Sequence, residues 1–92
     1  MDKIKEHALI CKSMNELYEK KNHDYGDSFG QTYDNLGIIS CITRITDKVN
    51  RLQSLCTKEA KVGDEKIEDT LMDIANYAIM TLIELKKNDI NG

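Results

Sequence analysis

Residues 65–87, EKIEDTLMDIANYAIMTLIELKK, decide the fold class. Leu71, Ile74, Ala78, Leu82 and Leu85 recur at steps of three and four, which at about 100° per residue traces one face of a helix. Met72, Ala75, Ile79 and Ile83 extend apolar cover around a second flank, so little of this helix is left for water. On that surface Asp69, Asp73 and Asn76, joined by Met80, fall within one narrow arc. The acids early in the segment and Lys86 and Lys87 late in it complement the helix dipole. Upstream, KVGDEK breaks the pattern at Gly63, and Asp64 is the expected N-cap.

Working outward, Ile38, Ile42, Ile45, Val49, Leu52 and Cys56 form a stripe spaced alternately by four and three. This predicts a helix over 36–57, capped by Asp34 or Asn35. The stretch NHDYGDSFGQTYDN, residues 22–35, has two glycines and several Asn and Asp residues without periodicity, so it is expected to be a long ordered loop. A loop longer than about 12 residues in a compact domain is uncommon and is often functional. Before it, Ile4, Ala8, Cys11, Met14 and Tyr18 predict an amphipathic helix over 2–21. The expectation is an all-α domain of three helices, 2–21, 36–57 and 65–87, in one unit spanning 1–92. A chain of 92 residues has a thin core, so a helical bundle completed by oligomerisation is expected.

Composition narrows the partners. A net charge of −3 excludes general nucleic-acid binding and anionic-membrane attachment through a basic surface. No run approaches the roughly 18 apolar residues of a membrane span, and the early charges in MDKIKEHALICK do not fit a signal peptide. A cytoplasmic location is the expectation. Cys11, Cys41 and Cys56 are odd in number, sit at apolar helical positions and form no CxxC pair, so they read as reduced core residues.

Three constellations carry chemistry. On the last helix, Asp69 and Asp73 stand one turn apart beside apolar neighbours, where an unpaired carboxylate costs several kcal/mol. They are either solvated, or paired with lysines in the i,i+4 manner, or placed to hold Mg²⁺, a hard cation that takes carboxylate oxygens. On the middle helix, Arg44, Lys48 and Arg51 share a strip with Ser40 and Asp47, which suits a phosphate clamp or a solvated, self-neutralised surface. In the loop, Asp24, Tyr25, Gly26 and Phe29 offer acceptors, rings and close backbone approach. Those rings either stack a nucleobase or pin the loop to the core. His23 is a lone loop histidine. The sequence contains no GxxxxGK[ST], GxSxG or HExxH pattern.

The segments KNHDYGDSF, ITRITDKVNRLQSL and EKIEDTLMDIANYAIM, in that order, resemble the phage and bacterial family called nucleotide modification associated domain, first type, over residues 19–85. The resemblance implies a helical fold and a setting in phage or mobile-element nucleotide metabolism, hence the host cytoplasm if phage-encoded. More distantly, the plan is similar to the all-α nucleoside triphosphate pyrophosphohydrolases of the MazG type, whose ExxE and ExxD pairs bind Mg²⁺. Glu16 and Glu19 stand in an ExxE relation, whereas three residues before Asp73 comes Thr70 and the nearest acid, Asp69, is four residues away.

Three functions therefore compete. The first is a nucleotide-phosphate binding protein with Mg²⁺-dependent phosphoanhydride hydrolysis. In it Glu16, Glu19, Asp69 and Asp73 hold metal, while Arg44, Lys48, Arg51, Tyr25, Asp24, Phe29 and Asn76 bind the nucleotide. The second is a non-catalytic sponge for a cyclic-nucleotide or ADP-ribose-like immune signal, acting in anti-defence. The third is a helical oligomerisation module without ligand.

Overall fold

The computed structural model describes residues 1–57 and 64–91, and for residues 25, 64, 65 and 88–91 the backbone only. Four helices, not three, make up the described chain: α1 (Lys3–Tyr25), α2 (Ser28–Leu36), α3 (Ile38–Thr57) and α4 (Asp64–Asn91). The break expected at Gly63 lies outside the described residues, and α4 already includes Asp64.

The expected long loop is the main correction, because most of it is α2. Nine residues containing Gly30 would not hold a helix in isolation. Local chemistry fixes both ends. α1 stops at Gly26, whose φ of 67° is easy for glycine, with the Gly26 N–H donating to the Asn22 carbonyl at 2.8 Å. Asp27 then caps α2, its carboxylate accepting from the Gly30 N–H at 3.1 Å. Gly37, at φ 76°, ends α2 and donates to the Tyr33 carbonyl at 2.7 Å. Asp34 and Asn35 therefore lie inside α2 and do not cap α3; instead the Ser40 hydroxyl donates to the Gly37 carbonyl at 2.8 Å. Between the caps, Phe29 and Tyr33 are one turn apart and both buried, so packing supplies what propensity lacks.

α3 and α4 form an antiparallel hairpin: Lys48 meets Asp73, whereas Cys41, earlier in α3, lies with Tyr77 and Met80, later in α4. Phe29, Tyr33 and Cys41 form the buried cluster, with Tyr77 and Met80 packed against it. The Phe29 and Tyr77 rings stack with centroids 5.9 Å apart. The helix faces depart from the sequence reading. On α4, Thr70 and Glu84 are buried and Asp73, Tyr77 and Met80 half-buried, while Leu71, Ala78, Leu82 and Leu85 of the expected core face are exposed, Leu82 by 64%. On α3, Ile38, Ile42, Val49 and Cys56 of the expected stripe are exposed, and Ile45 and Leu52 are half-buried, as is Ile74 on α4. The hairpin closes on a mixed seam of charged and apolar side chains, and much of each apolar stripe faces outward.

α1 departs in the same way. Asp2 caps it, accepting from the N–H groups of Ile4 and Lys5. Of its expected apolar face, Ile4, Ala8 and Cys11 are exposed and only Met14 is buried, because α1 meets the rest of the chain chiefly at α4. Cys11 and Cys56 are thus exposed thiols, and only Cys41 is a core residue as expected. The Cα radius of gyration is 15.1 Å, against roughly 12 Å for a compact chain of this length, so much apolar surface stays uncovered.

The Asp27 cap and Gly30 are coupled. A Cβ at Gly30 would press on the Asp27 carboxylate, 2.7 Å from Oδ1 and 2.8 Å from Cγ. Asp27→Ala is expected to lower stability by about 1 kcal/mol. Gly30→Ala should also destabilise the wild type, yet be neutral or stabilising by up to about 1 kcal/mol once Asp27 is alanine. Urea unfolding of the two single variants and the double variant measures this; strictly additive effects would show that the carboxylate does not occupy the glycine's side-chain space.

Candidate functional site

A cleft of about 230 Å³ opens where the end of α1, the start of α2 and the inner faces of α3 and α4 meet. The Gly26 turn lets the chain reverse tightly, so that Tyr18, Lys21 and Asn22 of α1 stand near the capped start of α2. α3 contributes Arg44, and α4 contributes Asp73, Asn76, Tyr77 and Glu84 at helical spacing. One wall is apolar, with Phe29, Tyr77, Met80 and Ile83, and the other is charged.

The charged side centres on Asp73. Lys48 Nζ lies 3.0 Å from Asp73 Oδ2, with both side chains near 28% exposed. Lys21 Nζ reaches Oδ1 at 3.9 Å from the opposite helix. Arg44 sits with its guanidinium carbon 5.4 Å from the Phe29 ring centroid and an N–H 3.4 Å from the Thr32 hydroxyl oxygen. The ring and the hydroxyl orient the guanidinium plane and leave further donors for a ligand. Deeper in the cleft, buried Glu84 accepts from Lys87 Nζ at 3.1 Å, and Lys87 also faces Asp34 at 3.7 Å. The hydrogen bond to Glu84 is the largest influence on Lys87. Aided by the nearby charges of Asp34, Glu84 and Asp27 and opposed by desolvation, it holds the ammonium above its ordinary value of 10.5. Stability from this pairing is therefore fully present below that value and is lost as pH rises through the raised one.

The sequence-derived residues divide clearly. Arg44, Phe29, Asn76 and Asp73 line the cleft, and Lys48 joins it through Asp73. Arg51 is exposed and does not line it. Asp24 is exposed, 3.5 Å from His23 Nδ1. The Tyr25 side chain lies outside the described residues. Asp69, one turn before Asp73, lines a different cleft between α1 and α4, and Glu16 and Glu19 are exposed and line neither. Among the described residues, no three or more His, Cys, Asp or Glu side chains are gathered to hold a metal ion. Thr70, where an ExxD pair would place its glutamate, is buried and donates to the Lys66 carbonyl at 2.7 Å.

Sequence reasoning missed Lys21, Tyr18, Asn22, Asp27, Tyr77 and Glu84. Asp27 had a signal, the D-x-x-G spacing of a capped short helix. Glu84 had another, an acid inside an apolar run with Lys87 one turn on. Lys21 had none, since its place depends on how α1 crosses α4.

No curated protein and no solved structure matches this chain. A family model does match, over residues 21–85, a span that holds Lys21, Arg44, Lys48, Asp73, Asn76 and Glu84 but not Glu16 or Glu19. Covering well over half of the sequence, this match establishes that the chain belongs to the nucleotide modification associated domain 1 family.

Proposed function

We propose that the chain binds a nucleotide through its phosphates in the cleft between α1, α2 and the α3–α4 hairpin. The observation that carries this reading is the convergence of Lys21 and Lys48 on Asp73, beside an oriented Arg44. Two lysines from α1 and α3 on one carboxylate, with Arg44 of α3 lining the same cleft, form a point that a multiply charged phosphate would occupy more strongly than a neutral ligand. Tyr77 and the apolar wall suit a base or sugar, and the Asn76 amide supplies a donor and an acceptor. Membership of a nucleotide modification associated family supports the same ligand class.

Mg²⁺ enters this reading with the ligand, since it commonly binds through one or two carboxylates plus substrate phosphates. Of the four acids expected to hold it, Asp73 lines the cleft. Glu16, Glu19 and Asp69 lie off the cleft and do not form a cage with it. Phosphoanhydride hydrolysis is the finer form of the proposal. Retention of an uncleaved cyclic-nucleotide or ADP-ribose-like signal is the second reading, favoured by the exposed placement of Glu16 and Glu19 and the position of Asp69 on another cleft.

A second copy of the chain completes the proposal. The outward stripes of Ile38, Ile42 and Val49 on α3 and of Leu71, Leu82 and Leu85 on α4 lie on two neighbouring helices, and fully burying one such side chain is worth about 1.5–3 kcal/mol. Pairing hairpin to hairpin would cover them as a helical bundle. The third reading, a module without ligand, would be favoured by Asp73 pairing across a dimer interface, whereas Asp73 pairs within the chain, with Lys48 and Lys21.

Two measurements check these proposals. In a thermal-shift screen of mononucleotides, nucleoside di- and triphosphates and cyclic dinucleotides, with and without Mg²⁺, a true ligand at high saturation should raise the Tm by roughly 5 °C or more. Chromatography of the same mixtures separates cleavage from retention. Arg44→Ala should weaken binding by about tenfold or more, and an Asp73→Asn protein with unaltered binding and turnover would remove Asp73 from the site. Analytical ultracentrifugation should find a dimer or higher assembly that Leu82→Glu dissociates with helicity unchanged. A wild-type monomer at tens of micromolar would rule out the second copy.

A further inference from the structure

Along α4, the side chains that line the cleft change character in one direction. Asp73, on which Lys21 and Lys48 converge, stands at one end. Asn76, Tyr77 and Met80 follow, and Glu84 stands at the other end. From position 73 to position 84 is about three helical turns, so the two carboxylates share a face of α4 and lie roughly 16 Å apart along its axis. A free phosphate cannot span that distance. A base joined through its sugar to two or three phosphates can.

Glu84 is only 5% exposed, and an acid so deeply buried requires a partner. Lys87 is that partner, its ammonium donating to Oε1 at 3.1 Å, and Lys87 itself does not line the cleft. Among the described residues Oε2 takes no hydrogen bond, and no side-chain oxygen or nitrogen is shut away from solvent without one, so Oε2 is open to the cleft. A carboxylate has about four acceptor sites and no donor, and Lys87 uses one of them.

We propose that Glu84 reads the base of the bound nucleotide and that the base it selects is guanine, an inference that rests on the nucleotide reading of the cleft. Guanine alone among the common bases sets two donors side by side, the ring N1–H and the exocyclic amine. Adenine and cytosine place one amine beside a ring-nitrogen acceptor, and uracil and thymine place one N–H between two carbonyls, so each turns an acceptor toward the carboxylate. Met80 and Ile83 supply apolar surface beside Glu84. In such surroundings a matched hydrogen bond is stronger and a mismatched one more costly than in water. The phosphates of the same ligand extend toward the cations at the Asp73 end, so the two ends of the strip divide the recognition between them.

Isothermal titration calorimetry of the full chain with GTP, inosine triphosphate, ATP, CTP, UTP and inorganic tripolyphosphate tests this. Inosine triphosphate differs from GTP only in lacking the exocyclic amine. GTP should bind about tenfold or more tighter than inosine triphosphate, and tighter than ATP, CTP and UTP. Glu84→Gln, with helicity checked by circular dichroism, should remove most of the difference between GTP and inosine triphosphate. The wild-type comparison decides the matter by itself if that variant does not fold. Equal binding of GTP and inosine triphosphate, a preference for another base, or a guanine preference that survives Glu84→Gln would overturn the base assignment, while tripolyphosphate binding keeps the phosphate end. Absence of binding by every nucleotide and by tripolyphosphate would overturn both.

Discussion

The contact on which the rest of the structure depends is the ion pair of Lys48 with Asp73. Both side chains are largely removed from water, so separating them would leave a charge in a medium that solvates it poorly. That constraint fixes which faces of α3 and α4 turn toward each other. Once Asp73 faces α3, helical geometry brings Thr70, Tyr77, Met80 and Glu84 to the same side at steps of three and four, and they are buried or half-buried. Leu71, Ala78, Leu82 and Leu85 are turned outward by the same geometry. The polar seam and the exposed apolar stripes are two results of one rotation about the helix axis.

α2 turns that seam into a cleft. Its Phe29 ring stacks on Tyr77 and carries Arg44, so a single buried aromatic ties together α2, the hairpin and a cation that lines the cleft. The device is local in origin: Gly26, Asp27, Gly30 and Gly37 define where α2 starts and stops, and each acts through a backbone N–H or a backbone angle. Without the turn at Gly26, the chain would continue along α1, and Phe29 would not reach Tyr77.

Helix content, the presence of α3 and α4 to within a few residues at their ends, and the candidate status of Arg44, Lys48, Asp73 and Asn76 were legible in the sequence, because each rests on periodicity within one helix. α2 was not. A nine-residue helix with an internal glycine shows too few repeats to register, and it survives through caps and tertiary packing. Nor did periodicity settle which stripe of α4 faces inward. A helix with a broad apolar surface and one narrow polar strip is ordinarily buried on the apolar side. Here partners on α1 and α3 for the polar strip reverse that preference. Asp69 shows the limit of reading neighbours on one strip. It is about 40° around and roughly 6 Å along the axis from Asp73, enough to place it in another cleft.

The electrostatics of the cleft also restrict its ligand. Its cations are not idle: Lys48 and Lys21 are engaged by Asp73, and Lys87 by Glu84 and Asp34. A single carboxylate arriving as ligand would only exchange one Lys–carboxylate contact for another and lose its own hydration. A phosphate carries more charge on more acceptor oxygens and engages Arg44 with planar, two-pronged geometry that Asp73 does not use. If the cleft takes a phosphate, as proposed, discrimination between anions would arise from the resident carboxylate, because a weakly charged metabolite would not repay the displaced Lys–Asp73 contacts. Asp73 would then act on ligand charge as well as on the facing of α4.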